Sequence, residues 1–591
     1  MIKVSDYIAK RLKEVYEIKN IFLISGGGAM HLNDSFGKYI KYTTAHNEQA
    51  LSMMAEGYAR VNQKLAVVNV TTGPGGLNCL NGVFGQWTDS VPVLYISGQV
   101  KFETTVYSCR ELNLRQLGDQ ETDIISAVKP FTKYSVIITN PYDIKYHLDK
   151  AVYLAMHGRF GPVWLDIPMN IQSAMIEEEK LKDFNENVDD CENIDTEQIN
   201  KVIDKLNNSK KPIIIAGYGI RLSKQEYNFY KLIDKLNIPI LSTFCGADIM
   251  PSNHNLCAGR IGNLGQRAGN IILQESDLIL SLGTRNSIFQ VSYNYENFGK
   301  NAYKIGVDID NSELNKKTVK FDISINADLK YFIPQLLEKC EKLNTEKWVE
   351  KCKIYNDKFS FKNTKEYNTK NKKINPYYFV NKLTKLMNKN YIMITGNGSA
   401  CNIAYQAGEV KKGQRIFWNK GCASMGYGLP ASIGACIYNG IYNNKKNKVI
   451  CLDGDGSIMM NIQELQTIKH YNLPIKVFIL NNDGYISIKQ TQNNFFEGHM
   501  VGSSRNSGVS MPDFNKVAKA FGIESVKISR YTDDKDLEKQ INAVLESEKA
   551  IICNVILEDD YIFIPKLLAK KLDDGTMVSP SFENMYPFIE I

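Results

Sequence analysis

Two short turns hold the residue types best suited to chemistry. One is Gly454-Asp455-Gly456-Ser457 and the other is Asn481-Asn482-Asp483-Gly484. Asp455 and Asn482 stand 27 positions apart, with a helical stretch (462–470) and a strand-like run (475–480) between them. Such a connection sets two strand ends side by side. Asp455 offers a carboxylate and Asn482 an amide oxygen, both hard ligands. With the backbone carbonyl of Gly484 they make half of an octahedral Mg²⁺ shell, and a diphosphate and a water can supply the rest. Gly454 and Gly456 let the backbone approach a ligand. The helix beginning near Ser457 offers N–H groups and its dipole to phosphate. The competing reading is two ordinary strand-to-helix turns.

Strand and helix patterns able to carry these turns recur along the chain. Continuous apolar runs at 21–24, Ala66–Val70, 91–96, Pro212–Ala216, Leu278–Leu282, Tyr391–Thr395, 448–452 and 475–480 alternate with longer helical stretches. Continuous rather than alternating apolar runs suit parallel strands covered on both faces, so the class is α/β. Two polar stretches, 177–197 and 357–376, read as linkers and divide the chain into units at 1–175, 195–345 and 375–591. The bland alternative is two long surface loops inside larger domains. The first and third units follow one plan. Thr72-Gly73-Pro74-Gly75 precedes Val91-Pro92-Val93 as Asp453-Gly454-Asp455-Gly456 precedes Leu473-Pro474-Ile475, with 19 positions from Gly73 to Pro92 and 20 from Gly454 to Pro474. Ligands of such doubly wound sheets sit at the carboxyl ends of strands, where both glycine-rich turns fall.

Composition excludes several classes. The chain has 591 residues, 43% hydrophobic and 23% charged, which is globular rather than disordered or fibrous. A net charge of +7 over this length, without a dense basic block, argues against nucleic acid. No apolar run reaches the roughly 18 residues of a membrane helix. Val4, Ile8, Leu12 and Val15 share one face of an N-terminal helix, which reads as a docking helix and not a signal peptide. Twelve scattered cysteines without a C-x-x-C pair fit a reducing cytoplasm.

The segment from Gly454 to Asn482 resembles the motif of thiamine diphosphate (ThDP) enzymes. The resemblance implies three doubly wound parallel-sheet domains in the pyruvate oxidase/decarboxylase-like architecture. These are a pyrimidine-binding domain, a central FAD-binding-like domain, and a diphosphate-binding domain with a closing tail. It implies cofactor contacts at Gly73, Gly75, Gly398, Ser399, Ala400, Ala423, Tyr485 and Ile486, besides the Gly454–Ser457 turn and Asn482. Ala423-Ser424-Met425-Gly426-Tyr427-Gly428 is similar to the stretch beneath the cofactor, with Met425 as the apolar wedge that bends it. Glu48, in His46-Asn47-Glu48-Gln49-Ala50, falls on the carboxylate that protonates N1′ of the aminopyrimidine. In the family that residue comes from a partner chain, so a homodimer or homotetramer is implied.

Across nearly the whole chain the resemblance is closest to acetolactate synthase large subunits. It rests on Thr72-Gly73-Pro74-Gly75, Asp89-Ser90-Val91-Pro92-Val93, Ser97-Gly98-Gln99-Val100 and Gly158-Arg159-Phe160-Gly161-Pro162-Val163. Gln120, Glu121 and Lys133 match residues that line or support its pyruvate pocket. Simple 2-oxo acid decarboxylases usually carry an adjacent His-His pair, and none of the seven histidines here are adjacent. The implied reaction is therefore transfer of an acetyl unit from pyruvate to a ketone acceptor. Non-redox FAD is implied by Arg159, Gly217, Gly219, Gly262, Leu264, Gly265, Arg285, Asp308, Ile309 and Asp328. Phe289 stands where a second arginine is expected, and a vestigial domain with an empty groove is the alternative. The substrate side departs further. Asp119 and Thr491 replace an aromatic pair, and Gly26 replaces a proline beside Gly27. More space and polarity suit a larger acceptor, and stretches around Tyr485–Gln492 and the tail resemble ThDP enzymes of surface-polysaccharide clusters that use nucleotide-activated keto-sugars. Acetolactate synthase proper and a non-catalytic ThDP-binding scaffold are the rivals.

Overall fold

The computed structural model describes residues 1–185, 194–364, 367, 373–441 and 447–589. The expected linkers, 177–197 and 357–376, fall partly outside these residues. Three six-stranded sheets organise the chain. The first contains β1 (Asn20–Leu23), β2 (Lys41–Thr44), β3 (Ala66–Val70), β4 (Val93–Gln99), β5 (Tyr134–Ile137) and β6 (Val163–Pro168), in the order 2-1-3-4-6-5. The second contains β7 (Pro212–Ala216), β8 (Ile240–Ser242), β9 (Cys257–Arg260), β10 (Leu278–Leu282), β11 (Tyr303–Asp308) and β12 (Ile323–Asn326), in the order 9-8-7-10-11-12. The third contains β13 (Tyr391–Thr395), β14 (Arg415–Phe417), β15 (Lys448–Gly454), β16 (Lys476–Asn481), β17 (Glu524–Ile528) and β18 (Ile551–Ile556), in the order 14-13-15-16-18-17. Every pairing within these sheets is parallel. The α/β class read from the apolar runs is thus the observed one.

The first and third sheets share one strand order, so their switch points coincide: between β1 and β3 in one, between β13 and β15 in the other. The middle sheet has the dinucleotide-binding order, with its switch point between β7 and β10. Strands β3, β7, β10 and β13 are buried along their full length, as double coverage requires.

Helices join the units. The N-terminal helix α1 (Val4–Glu14) buries Val4, Ile8 and Leu12, but Val15 lies just past its end and is exposed, so the expected apolar face is one residue shorter. Helix α2 (Glu48–Asn62) packs on α3 (Leu80–Asp89) and crosses α5 (Gly428–Ile441) backbone to backbone. A Cβ on Gly57 would sit 2.1 Å from the Ala431 carbonyl oxygen, and one on Gly434 would sit 1.9 Å from that of Met54. Only glycine permits this approach. Around it one continuous core runs from the first unit into the third, including Trp164 stacked on Tyr95 at 4.7 Å. The C-terminal tail returns to the middle unit. Phe582 is fully buried against Phe298, and Arg267 donates to the carbonyls of Met585 and Pro587 at 3.0 and 2.7 Å. Among the described residues no helix is long and apolar enough to cross a membrane.

Candidate active site

The two turns singled out by residue type meet at the carboxyl ends of β15 and β16. Asp455 opens a one-turn helix directly after β15 and is 2% exposed. Its Oδ1 accepts from the Gly456 N–H at 2.7 Å. Its Oδ2 accepts from the N–H groups of Asn482 at 3.0 Å and Gly484 at 3.2 Å. Burial pushes its carboxyl up to about 6, against the pull of those three N–H groups. The Asn482 side chain donates to the Gly484 carbonyl at 2.7 Å. Gly484, at φ 137°, adopts a backbone that other residues rarely enter. One buried carboxylate, one amide and one carbonyl therefore converge, across the strand–helix–strand connection inferred from spacing.

The neighbouring strand β13 brings Gly398 and Ser399 to the same place, at the start of α4 (Ser399–Ala407). Tyr561 links the two sides: its hydroxyl bonds Ser399 Oγ at 2.7 Å and donates to Asn482 Oδ1 at 3.4 Å. Sequence spacing offered no signal for Tyr561, since it arrives from the tail beyond β18. Ala400 is buried one residue into α4. Gly456 is required by Tyr485, whose ring would lie 2.1 Å from a Cβ there, whereas the Cβ direction of Gly454 is open. Of the two glycines expected to admit a ligand, Gly454 has the room.

The stretch before α5 is pinned from both sides. Gly426 N–H donates to Ser457 Oγ at 3.0 Å, and Asn461 donates to the Gly426 carbonyl at 2.8 Å. Asn397, next to Gly398, donates to the Ser424 carbonyl at 2.7 Å. Ala423 and Gly426 both have positive φ, 55° and 82°, so Met425 projects from a tightly turned segment and is half-buried. Ile486 is buried at the start of α6 (Ile486–Phe495), and Thr491 on that helix is exposed, its hydroxyl donating to the Ser487 carbonyl.

In the first unit Glu48 is the first residue of α2, half-buried, with Oε2 accepting from Asn78 at 2.9 Å. Gly75 is beside it, its Cβ position 3.7 Å from Oε1. Gly73, at φ 60°, packs on the carbonyl of Gln120, where a Cβ would come within 1.9 Å. Glu48, Gly73, Gly75 and Gln120 thus gather at the end of β3. Gly27 lies nearby, with nothing within 4 Å of its Cβ position, between Gly26 and Gly28 packed on Thr71 and Thr72. Asp119 and Gln120 are exposed. Lys133 packs against Gly161 of the same unit. Its ammonium donates to the His157 carbonyl at 2.6 Å, and burial, with Arg159 nearby, brings its pKa down to about 8. Among the described residues no hydrogen bond joins Glu48 to the turns of the third unit.

A cavity of about 370 Å³ opens where all three units meet, at the switch point of the middle sheet. Arg159, Gly219, Arg285, Asp308, Ile309 and Asp328 line it, together with Asp89 of the first unit and Lys420 of the third. Gly217 lies behind its wall, packed on the Gly283 carbonyl. Gly262, Leu264 and Gly265 lie outside it: Gly262 packs on Gln290, Gly265 folds back on the Gly262 backbone, and Leu264 packs on the core of the third unit. Arg159 bonds Asp310 and Glu313 at 2.7 and 2.8 Å, and Arg285 donates to the Thr88 carbonyl.

Comparison with known proteins agrees with this geometry. Residues 2–126 match the model of the thiamine pyrophosphate enzyme N-terminal TPP binding domain, 199–336 the central domain, and 396–555 the C-terminal TPP binding domain. The acetolactate synthase large subunit of Lactococcus lactis subsp. lactis is 32% identical over 563 residues, covering 94% of this chain and 93% of that protein. The large subunit of Buchnera aphidicola subsp. Schizaphis graminum is 31% identical over 575 residues, covering 95% and 94%. The chloroplastic acetolactate synthase 2 of Nicotiana tabacum is 29% identical over 586 residues, covering 96% and 83%. A protein with two TPP-binding domains on matching sheets, aligned nearly end to end with these enzymes, belongs to the thiamine diphosphate-dependent enzymes of the acetolactate synthase large-subunit family.

Proposed function

We propose that this enzyme decarboxylates pyruvate and transfers the acetyl unit to a ketone acceptor. The observation that carries the reading is the convergence of Ser399, Asp455, Asn482 and Gly484 at one switch point, with Glu48 at the matching switch point of the first sheet. Bound ThDP supplies a nucleophilic thiazolium carbon and an electron sink for loss of CO₂. Glu48 would hold a proton at N1′ of the aminopyrimidine. Met425 would bear on the bend of the cofactor, and Gly398, Ser399 and the Gly454–Ser457 turn would hold its diphosphate. The residues also suit Mg²⁺. Turning the Asn482 amide over would set its oxygen against the Gly484 carbonyl oxygen, a pair of hard oxygens that a cation stabilises, with the Asp455 carboxylate bonded to the backbone of the same turn.

The cavity of the middle unit suits FAD: it lies at a dinucleotide switch point, with Arg159 and Arg285 on its wall. Both arginines would have to exchange protein partners for a diphosphate. A homodimer or homotetramer fits the exposed Leu77, Phe84 and Trp87, which flank and follow Asn78, the hydrogen-bond partner of Glu48. We take the units as 1–175, 195–345 and 375–591, and the cytoplasm as the compartment. For the acceptor, the exposed and non-aromatic Asp119 and Thr491 favour a bulky polar ketone such as a nucleotide-activated keto-sugar. The near end-to-end match to acetolactate synthases favours pyruvate or 2-oxobutyrate as the second reading. Purified protein with ThDP, Mg²⁺ and pyruvate should release CO₂ and form a carboligation product. Competition between acceptors at fixed pyruvate identifies which. Asp119→Phe with Thr491→Trp should shift the product ratio toward the smaller acceptor, and an unchanged ratio would remove these positions from the acceptor site.

A further inference from the structure

We propose that Glu121 is a positioning residue that sets acceptor selectivity by closing the neck of loop 106–117. The inference rests on the reading that Asp119 and Gln120 border the acceptor site. One oxygen does the closing: Glu121 Oε1 accepts from the N–H of Val106 at 2.9 Å and from that of Leu117 at 3.1 Å, the two ends of the loop. The Gln116 side chain adds a bond to the Glu121 carbonyl at 3.1 Å. Glu121 is 3% exposed, although Asp119 and Gln120 beside it are on the surface. Its Oε2 is buried and has no hydrogen-bond partner among the described residues, so its side-chain anchorage falls on Oε1. Inside the loop the side-chain bonds are local or peripheral. Ser108 donates to the Thr105 carbonyl, and Arg110 reaches Asp123 at 3.4 Å on the surface. Leu112, Leu114 and Leu117 are 60%, 42% and 47% exposed. The loop is held at its neck and little held elsewhere.

The clamp is mechanically close to the reacting region. Gln120, covalently next to Glu121, is forced into the left-handed region at φ 62°. Its carbonyl packs on Gly73, and Gly75, two residues further on, borders Glu48. Release of the neck therefore moves Asp119 and Gln120 relative to Glu48. A closed neck keeps the rim narrow, and an open one admits larger acceptors.

The test uses full-length enzyme loaded with ThDP and Mg²⁺, as Glu121→Ala and as Glu121→Gln, which keeps an acceptor oxygen. Two bonds to a charged acceptor are worth about ten-fold or more in the opening equilibrium. Trypsin should cut after Arg110 and Arg115 correspondingly faster in Glu121→Ala and close to the wild-type rate in Glu121→Gln. With pyruvate and 2-oxobutyrate competing as acceptors, Glu121→Ala should shift the product ratio several-fold toward the larger one. The change should fall on the acceptor KM more than on kcat, and Glu121→Gln should restore it. If Glu121→Ala does not fold, Glu121→Asp, which withdraws the oxygen by one methylene, serves the same reading. Unchanged cleavage overturns the clamp. If the ratio stays fixed while Asp119→Phe with Thr491→Trp moves it, the clamp proposal falls and the acceptor-site reading stands. If neither variant moves it, both fall.

Discussion

Glu48 and Asp166 show how far a single carboxylate can be read. Glu48 is half-buried and bonded to Asn78, a setting that would pass for a helix-start residue. Its proposed role gives a sharp outcome. Glu48→Gln keeps the size and the bond to Asn78 but cannot exchange a proton, so ThDP affinity, followed by fluorescence quenching, should stay near wild type. Turnover of pyruvate should fall about 10²-fold or more, the usual range for a lost acid–base group. Asp166, in the family-like stretch Asp166-Ile167-Pro168, has no role assigned from sequence, yet it is 2% exposed, with Ser97 donating at 2.6 Å and Gln99 at 3.1 Å. Burial raises its carboxyl from 3.8 to about 7. The folded state then binds a proton that the unfolded chain releases, so the stability from this group is full below pH 4 and is lost as pH rises through 7. Asp166→Asn should flatten that dependence. The slope is read by denaturant titration of both proteins across pH. A parallel pH profile in the variant would refute the assignment.

At the scale of elements, the contact that matters most is the crossing of α2 and α5. Glu48 begins α2, and the pinned Met425 segment leads into α5, so one helix pair sets both ends of the proposed site. Gly57→Ala places a methyl 2.1 Å from the Ala431 carbonyl oxygen, a backbone atom that cannot step aside. The helices must separate, and stability should drop by about 3 kcal/mol, the upper range for overpacking. Calorimetry should show a lower Tm for Gly57→Ala and none for Gly440→Ala, where nothing lies within 4 Å of the Cβ position. The strands were legible as continuous apolar runs because a doubly covered sheet needs them. Their ends were less so: the run at 91–96 is observed as Val93–Gln99, and that at 475–480 as Lys476–Asn481. Polar residues such as Ser97, Gln99 and Asn481 extend the ladders because their side chains find partners at the carboxyl edge, which hydropathy does not register.

For the whole molecule, the cavity between the three units makes a prediction about flavin. If it holds FAD, the purified enzyme should be yellow, with flavin absorption that survives desalting. Because Arg159 and Arg285 are already engaged by protein groups, retention should weaken in a salt-dependent way, read as flavin per chain after dialysis. Protein that is colourless and takes up none on incubation with FAD would exclude it. The α/β class, the repeated plan of the first and third units, and the pairing of Asp455 with Asn482 were legible in the residues alone. Each depends on local periodicity or on one strand–helix–strand connection, whose length limits where its ends can go. The joining of distant segments is legible only in the folded chain. Tyr561 reaches Ser399 from the tail, Asn397 holds the Ser424 carbonyl, and Asp89 and Lys420 share a cavity wall with the middle unit. The fold also sets the Lys133 ammonium on the His157 carbonyl. These placements depend on how the three sheets pack against one another. That packing is set by backbone contacts such as Gly57 on Ala431 and by the summed burial of apolar surface, neither of which any local pattern encodes.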